Sequence, residues 1–327
     1  MGSAPSPKGF EYDGQLIFNG IHITEVLEDN VEPQRIVESL PAFEQGTADD
    51  PGSGYTNLNV EELITEADWM DSELKVVAED LSSFRYLYED WYEQEADVDG
   101  ERRIVHVNRI KDVDIYWAYP DYMFFRGQQT DSDQTESDIM DELDGKARLD
   151  TVTFDTDFLL WILYKYRNGK ELTSTLRPRL LTDCQTTGDE DNYGGRNEVG
   201  DSADISKSVP LLDGILRGKD LAMLEGDFAV HDNHVTAKVE SRGRVHVKAS
   251  KGDIRTANPL RRIALSLQFL TEFTALYEQW CNKMANSDKY LPDDFFTDIY
   301  NECDNQGNHI TYSIKPLRNE YRRKRNA

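Results

Sequence analysis

The stretch VESRGRVHVKASKGDIR, residues 239–255, carries five Lys or Arg against two carboxylates in a chain of formal net charge −26. Taken from 238 to 262, the strip holds Lys238, Arg242, Arg244, Lys248, Lys251, Arg255, Arg261 and Arg262 against Glu240 and Asp253, a balance of +6, with His246 among them. Guanidinium and ammonium groups flanked by the hydroxyls of Ser250 and Thr256 and the amide of Asn258 suit phosphate oxygens. Asn258 is a good N-cap and Pro259 fits a first helical turn, so Arg261 and Arg262 fall where the helix dipole favours an anion and disfavours cations. Two arginines there make sense beside a phosphate or carboxylate. No aromatic residue lies between 239 and 262, so the strip has nothing on which bases could stack.

Histidines form a second constellation. Three of the six open the pattern His-[Ile/Val]-Thr: His22-Ile23-Thr24, His234-Val235-Thr236 and His309-Ile310-Thr311. On a strand, a His and the Thr two residues on share a face. Two such strands brought together would offer two imidazoles and two hydroxyls to one phosphate. The arrangement resembles the paired motif of the two-histidine phosphoesterases, over six residues of the chain. That resemblance implies His234, Thr236, His309 and Thr311 as the site, one His acting as base and the other as acid on an RNA phosphodiester. A third set, His231, Asp232 and His234 with His246 across a hairpin, has ligand chemistry for zinc or manganese. Against both stands the ordinary occurrence of His and Thr on exposed strand faces. The sequence contains no phosphate-binding Gly-rich loop, no Gly-x-Ser-x-Gly elbow and no His-Glu-x-x-His helix. No cofactor is called for, and the balance leans toward binding and away from catalysis.

The elements that must position these residues are legible from periodicity. EGDFAVHDNHVTAKVESRGRVHVKAS alternates: Val235, Ala237, Val239, Val245, Val247 and Ala249 face one side of a hairpin turning at Ser241-Arg242-Gly243. His234, Thr236, Lys238, Arg244, His246 and Lys248 face the other. A helix follows, with Leu260, Ile263, Leu267, Leu270, Phe273, Tyr277 and Trp280 as its buried stripe. Upstream, Asn19-Gly20 predicts a type I′ hairpin turn between QLIF and IHITEV. Leu74, Val77, Leu81, Phe84, Leu87 and Trp91 predict one amphipathic helix. RRIVHVNRI (102–110) and VDIYWAY (113–119) predict two strands. FDTDFLLWILYKY (154–166) is apolar all round and predicts a buried helix. PLLDGILRG predicts a short helix, PDDFFTDIYNE (292–302) another, and NHITYSI (308–314) a last strand.

Charge divides the chain. Residues 1–150 hold 36 acids and 11 bases, whereas 151–327 hold 26 acids and 25 bases. Two runs concentrate the excess, EDWYEQEADVDGE (89–101) and DSDQTESDIMDELD (131–144), each with seven acids and no base. Such runs are ordinarily solvated faces or linkers. The expected class is α+β, with small antiparallel sheets and long amphipathic helices in two regions. These are an acidic region 1–130, an acidic linker 131–147, and a near-neutral region 148–327 with a mobile loop at 183–206 and a basic tail at 315–327.

The 62 acids, mean hydropathy of −0.66 and pI near 4.6 resemble the composition of proteins from halophiles that accumulate salt, where carboxylates hold hydration. Thirteen Phe, 16 Tyr and 5 Trp argue against disorder. Cys184, Cys281 and Cys303 match no metal or redox spacing and read as free thiols. The longest apolar run, FLLWILY, has seven residues, far short of the roughly 20 that span a bilayer. The expectation is a soluble cytoplasmic protein with no membrane partner. Its expected role is recognition through the basic hairpin–helix face, nucleic acid being one partner. The alternatives are a structural or scaffolding protein using that face for an acidic partner or its own N-terminal region, and a phosphodiesterase of the two-histidine type.

Overall fold

Leu81, Phe84, Leu87 and Trp91 satisfy a helical spacing, yet Phe84, Tyr86 and Tyr88 satisfy a spacing of two, and the second pattern wins. The computed structural model describes residues 16–27, 32–67, 72–98, 101–190, 194–285, 288–306 and 314–326. The fold is α+β with antiparallel strand pairing, and the chain divides into two compact units, Met1–Val152 with Pro259–Ala264, and Thr153–Asn258 with Leu265–Ala327.

The first unit contains β1 (Leu16–Val26), α1 (Pro33–Glu38), β2 (Ser53–Asn57), α2 (Val60–Glu66), α3 (Ser72–Val76), β3 (Leu81–Val98), β4 (Glu101–Ala118), β5 (Tyr122–Arg126), α4 (Gln129–Glu142) and β6 (Ala147–Thr151). Its strands run in the order β2-β3-β4-β5-β1, and β6 pairs with β1. Four expectations are corrected here. The helix expected from Ser72 stops at Val76. β3 then pairs with β2 on one side and β4 on the other, which carries Phe84 and Tyr86 into a core with Tyr55, Val113, Ile115, Trp117 and Phe125. Sheet pairing overrides the local helical pattern. The two strands expected at 102–110 and 113–119 are one strand, β4, continuous because β3 pairs with it from Leu81 to Val98.

Asn19-Gly20 makes no hairpin turn. It lies inside β1 where the register against β5 slips between Phe18 and Gly20, a bulge that glycine permits. A Cβ on Gly20 would stand 2.9 Å from His22 Nε2 and 3.0 Å from Phe125, while Asn19 Nδ2 donates to the Gly127 carbonyl at 2.6 Å. The acidic stretch expected as a linker is α4 followed by β6. Asp131, Ser132, Thr135 and Ile139 of α4 are buried, and Tyr88 Oη donates to Asp131 at 2.8 Å.

One buried carboxylate ties this unit together. Glu89 Oε2 accepts from the backbone N–H of Gly46 and of Gly52, each at 3.0 Å, and from Trp91 Nε1 at 3.1 Å; its Oε1 accepts from Asn108 Nδ2 at 2.7 Å. Burial pushes its pKa up, but the hydrogen bonds from Gly52, Trp91, Asn108 and Gly46 outweigh it and the net shift is downward.

The second unit contains α5 (Thr156–Arg167), β7 (Leu176–Thr187), β8 (Arg196–Val199), α6 (Val209–Leu216), β9 (Asp220–Val230), β10 (Asn233–Glu240), β11 (Arg244–Val247), α7 (Pro259–Cys281) from Leu265 onward, α8 (Asp293–Asn305) and α9 (Lys315–Asn326). The strand order is β11-β10-β9-β7-β8. Asp155 caps α5 by accepting from Asp157 N at 2.8 Å, and Phe158 to Leu163 are all buried. Phe158, Phe228, Phe269 and Phe273 fill the core, Phe158 meeting Phe273 edge-on at 5.6 Å. Of the stripe expected for α7, Ile263, Leu267, Leu270, Phe273 and Trp280 are at most 2% exposed, while Leu260 and Tyr277 are half-buried.

Two further expectations change. The segment 183–206, expected as a loop, supplies the end of β7, all of β8 and a 3-10 turn at Ile205–Lys207. Main-chain pairing of Cys184–Thr187 with Arg196–Val199 needs no apolar side chains, so hydropathy could not reveal it. The basic tail is the helix α9. Its Tyr321 is buried, Arg322 and Arg325 pair with Asp293, and Lys324 reaches Asp157 at 2.5 Å. The strand expected at 308–314 lies, but for Ile314, outside the described residues. Among the described residues no helix is long and apolar enough to cross a membrane.

The Glu89 clamp gives a signed prediction. Because its folded pKa is depressed, the carboxylate contributes stability at neutral pH that is lost as pH falls through the carboxylate range. Glu89→Gln removes the charge and one acceptor, and is expected to cost about 2 kcal/mol at pH 7. Urea unfolding should show the difference between variant and wild type shrinking toward pH 3, and an unchanged pH 7 midpoint would contradict the assignment.

Candidate anion-binding site

The hairpin β10–β11 forms with the register that alternation requires. Ala237 pairs with Val247 and Val239 with Val245, all at most 1% exposed, and Gly243 closes the turn with φ of 84°. A positive φ at that position is why the turn needs glycine. On the other face Lys238 lies opposite His246 and Glu240 opposite Arg244.

Continuing across the sheet, Glu240 pairs with Met223 of β9, Met223 with Gln185 of β7, and Gln185 with Glu198 of β8. One row of side chains thus crosses all five strands. Over this row lies an open groove of about 360 Å³, lined by Gln185, Arg196, Ala222, Met223, Lys238, Glu240, Ser241, Arg242 and Arg244.

Charge in the groove is matched unevenly. Glu240 receives Arg242 Nε at 2.7 Å, Lys238 Nζ at 3.0 Å and Arg244 Nη1 at 3.9 Å. Burial works to raise the pKa of Glu240, but Lys238, Arg242 and Arg244 lower it and prevail. Arg196 pairs with Glu198 at 2.8 Å. Four cations therefore face two carboxylates, an excess of +2 at the tip of the hairpin. Arg196 and Arg242 keep 60% and 61% of their side chains exposed, and Arg244 Nε is buried with no hydrogen-bond partner among the described residues. Guanidinium groups arranged this way have donors left for a phosphate or carboxylate fork.

Farther along the same face the excess is smaller, two lysines sharing one carboxylate. Lys248 and Lys251 both reach Glu225, at 3.0 and 3.3 Å. Burial, then Lys248 and Arg244, lower the His246 pKa to about 4, so at neutral pH the ring adds no charge. Arg255 lies exposed in a 3-10 turn at Asp253–Thr256. Arg261 and Arg262 occupy the first turn of α7, half-buried, within the stretch that belongs to the first unit. Of the expected strip, Lys238, Arg242 and Arg244 line the groove. Arg196 and Gln185 join them from the segment expected as a loop, and its Gly-rich, acidic composition gave no signal for them.

The histidine sets fare differently. His309 and Thr311 lie outside the described residues. His234 accepts from Arg179 Nη1 at 2.7 Å and lies 3.5 Å from Asp227, while Thr236 is buried. The metal set is corrected: among the described residues no three potential ligands converge. His231 and Asp232 form the turn between β9 and β10, where His231 meets Glu272 at 3.2 Å, and His246 lies opposite Lys238. His22 is fully buried against Phe125, and burial lowers its pKa to about 4. No protein-family model matches the chain, and no curated protein matches it. The groove's own chemistry therefore carries the functional reading.

The environment of His246 is open to direct measurement. Its ring should titrate near pH 4 by NMR, Arg244→Ala should raise the midpoint, and Glu225→Gln should lower it. A midpoint at the ordinary value of about 6.5 would remove the buried, cation-flanked placement.

Proposed function

We propose that the chain is a recognition protein that binds the phosphate backbone of nucleic acid through the groove at the tip of the β10–β11 hairpin. The observation that carries this reading is three cations, Lys238, Arg242 and Arg244, sharing the single carboxylate of Glu240. A neutral ion-pair network would need no ligand, whereas this one leaves positive charge and open donors facing a concavity. The absence of aromatic side chains from the groove lining favours contact with phosphates over stacking on bases, hence binding tolerant of sequence. Lys238 and Arg244 are about 30% exposed, and partly buried charges are screened by salt less than fully exposed ones. Such a groove would keep some attraction in the salt-rich interior that the acidic composition suggests. Lys248, Lys251 and Arg255 would add longer-range attraction along the face.

Titration of the full chain with labelled single- and double-stranded DNA and RNA across about 50 to 200 mM salt tests the reading. Binding should weaken linearly on a log–log plot, and Arg242→Ala and Arg244→Ala should each reduce the slope by about one. Absence of binding at low salt would overturn the proposal. Tighter binding of polyglutamate than of any oligonucleotide would replace nucleic acid with an acidic protein partner.

A further inference from the structure

β3 and β4 outrun the rest of their sheet. β2 pairs with β3 only over Phe84–Tyr88, and β5 with β4 only over Asp114–Ala118. Among the described residues the ribbon made by 90–98 and 101–109 therefore has no strand on either edge. At about 3.4 Å per residue it extends roughly 30 Å. A two-stranded ribbon alone is marginal in water and presents unpaired main-chain groups along both edges. Tyr92 and Ile104 are 45% and 63% exposed on it.

The root of the ribbon sets which groups face outward. Glu89 N donates to Gly52 O at 2.9 Å, away from β4. By alternation, the N–H and C=O of Trp91, Glu93 and Glu95 also point away from β4. Charge is segregated by strand. From 89 to 97, β3 carries five acids and no base, whereas β4 from 101 to 111 carries four Lys or Arg and one acid. A second copy pairing edge to edge about a two-fold axis would set acid against acid or base against base. Head-to-tail pairing of copies is opposed by the net charge of −26.

We infer that the outer edge of β3 docks an extended segment of another protein with Lys or Arg at every second position, which joins the ribbon as an added strand. Main-chain hydrogen bonds to Trp91, Glu93 and Glu95 set its register, and the carboxylates of Glu93 and Glu95 flank its basic side chains.

The test uses the full chain and a short synthetic peptide alternating Lys and Val, beside the same peptide N-methylated on every backbone amide. The two carry equal charge, but only the first has N–H groups with which to pair as a strand on either edge. The unmodified peptide should bind about tenfold tighter or more and slow hydrogen exchange at the amides of Glu93 and Glu95. The double variant Glu93→Lys, Glu95→Lys should lose that binding, and the wild-type comparison of the two peptides stands even if the variant folds poorly. Equal binding of both peptides, or protection only elsewhere, would overturn the inference. So would concentration-dependent self-association that protects these amides without peptide, since the occupant would then be a second copy.

Discussion

A carboxylate held away from water must find its donors on the spot, and the strands of this chain are arranged around places where it does. Glu89 takes four hydrogen bonds and joins the 46–52 loop to the root of the β3–β4 ribbon. Asp114, 1% exposed, lies between Arg85 at 2.6 Å and Arg126, stitching β3, β4 and β5. Asp293 draws Arg318, Arg322 and Arg325 and so fastens α9 to the start of α8. Asp288, though its side chain is 54% exposed, is also held by Lys165 and Lys283, whose hydrogen bonds lower its pKa to about 2. In a chain with 62 acids and 36 bases, cations are the scarce partner, so where they cluster in excess of acids the arrangement calls for explanation.

The groove is such a place. Elsewhere on the β9–β10–β11 face, Glu225 answers Lys248 and Lys251, and His246 stays neutral. At the hairpin tip, Glu240 answers three cations alone. The difference follows from register: pairing puts Glu225 opposite Lys238 in the middle of the sheet, and leaves Met223 and Gln185, uncharged, beside Glu240. Asp293 also meets three arginines, but at the hairpin tip the cations that share Glu240 line an open groove, where an anionic ligand could reach them.

How much of this the sequence revealed depended on whether local pattern and tertiary pairing agreed. At the β10–β11 hairpin they agreed, because Val235, Ala237, Val239, Val245 and Val247 can be buried only in one register. α5 and α7 were equally legible, since capping residues and apolar stripes coincide with their ends. They disagreed at Asn19-Gly20, where a turn-forming dipeptide serves as a bulge under Phe125. At Leu81–Val98 one set of residues satisfies two periods, and only the partners at Ser53–Asn57 and Glu101–Ala118 decide between them. The site was half legible for the same reason. Its cations on the hairpin follow from alternation, but Arg196 and Gln185 arrive through main-chain pairing in a segment whose side chains are almost all polar. The sharing of Glu240 required distances.

The two acidic runs that looked alike in the sequence also separate on structural grounds. Residues 131–144 are mostly helix with one buried face, and Asp131 and Asp138 there accept from Tyr88 and Tyr86. Those acids are absorbed into packing. Residues 89–98 begin with the buried Glu89 and then run out along a ribbon on which, by alternation, Trp91, Glu93 and Glu95 turn their main-chain groups away from β4. Glu89 takes four hydrogen bonds and Glu101 pairs with Arg103, while from Trp91 to Glu95 negative charge coincides with main-chain groups that have no strand beside them among the described residues. That coincidence distinguishes the ribbon from a merely solvated acidic surface, because solvation needs the charge but has no use for an open strand edge in register with it.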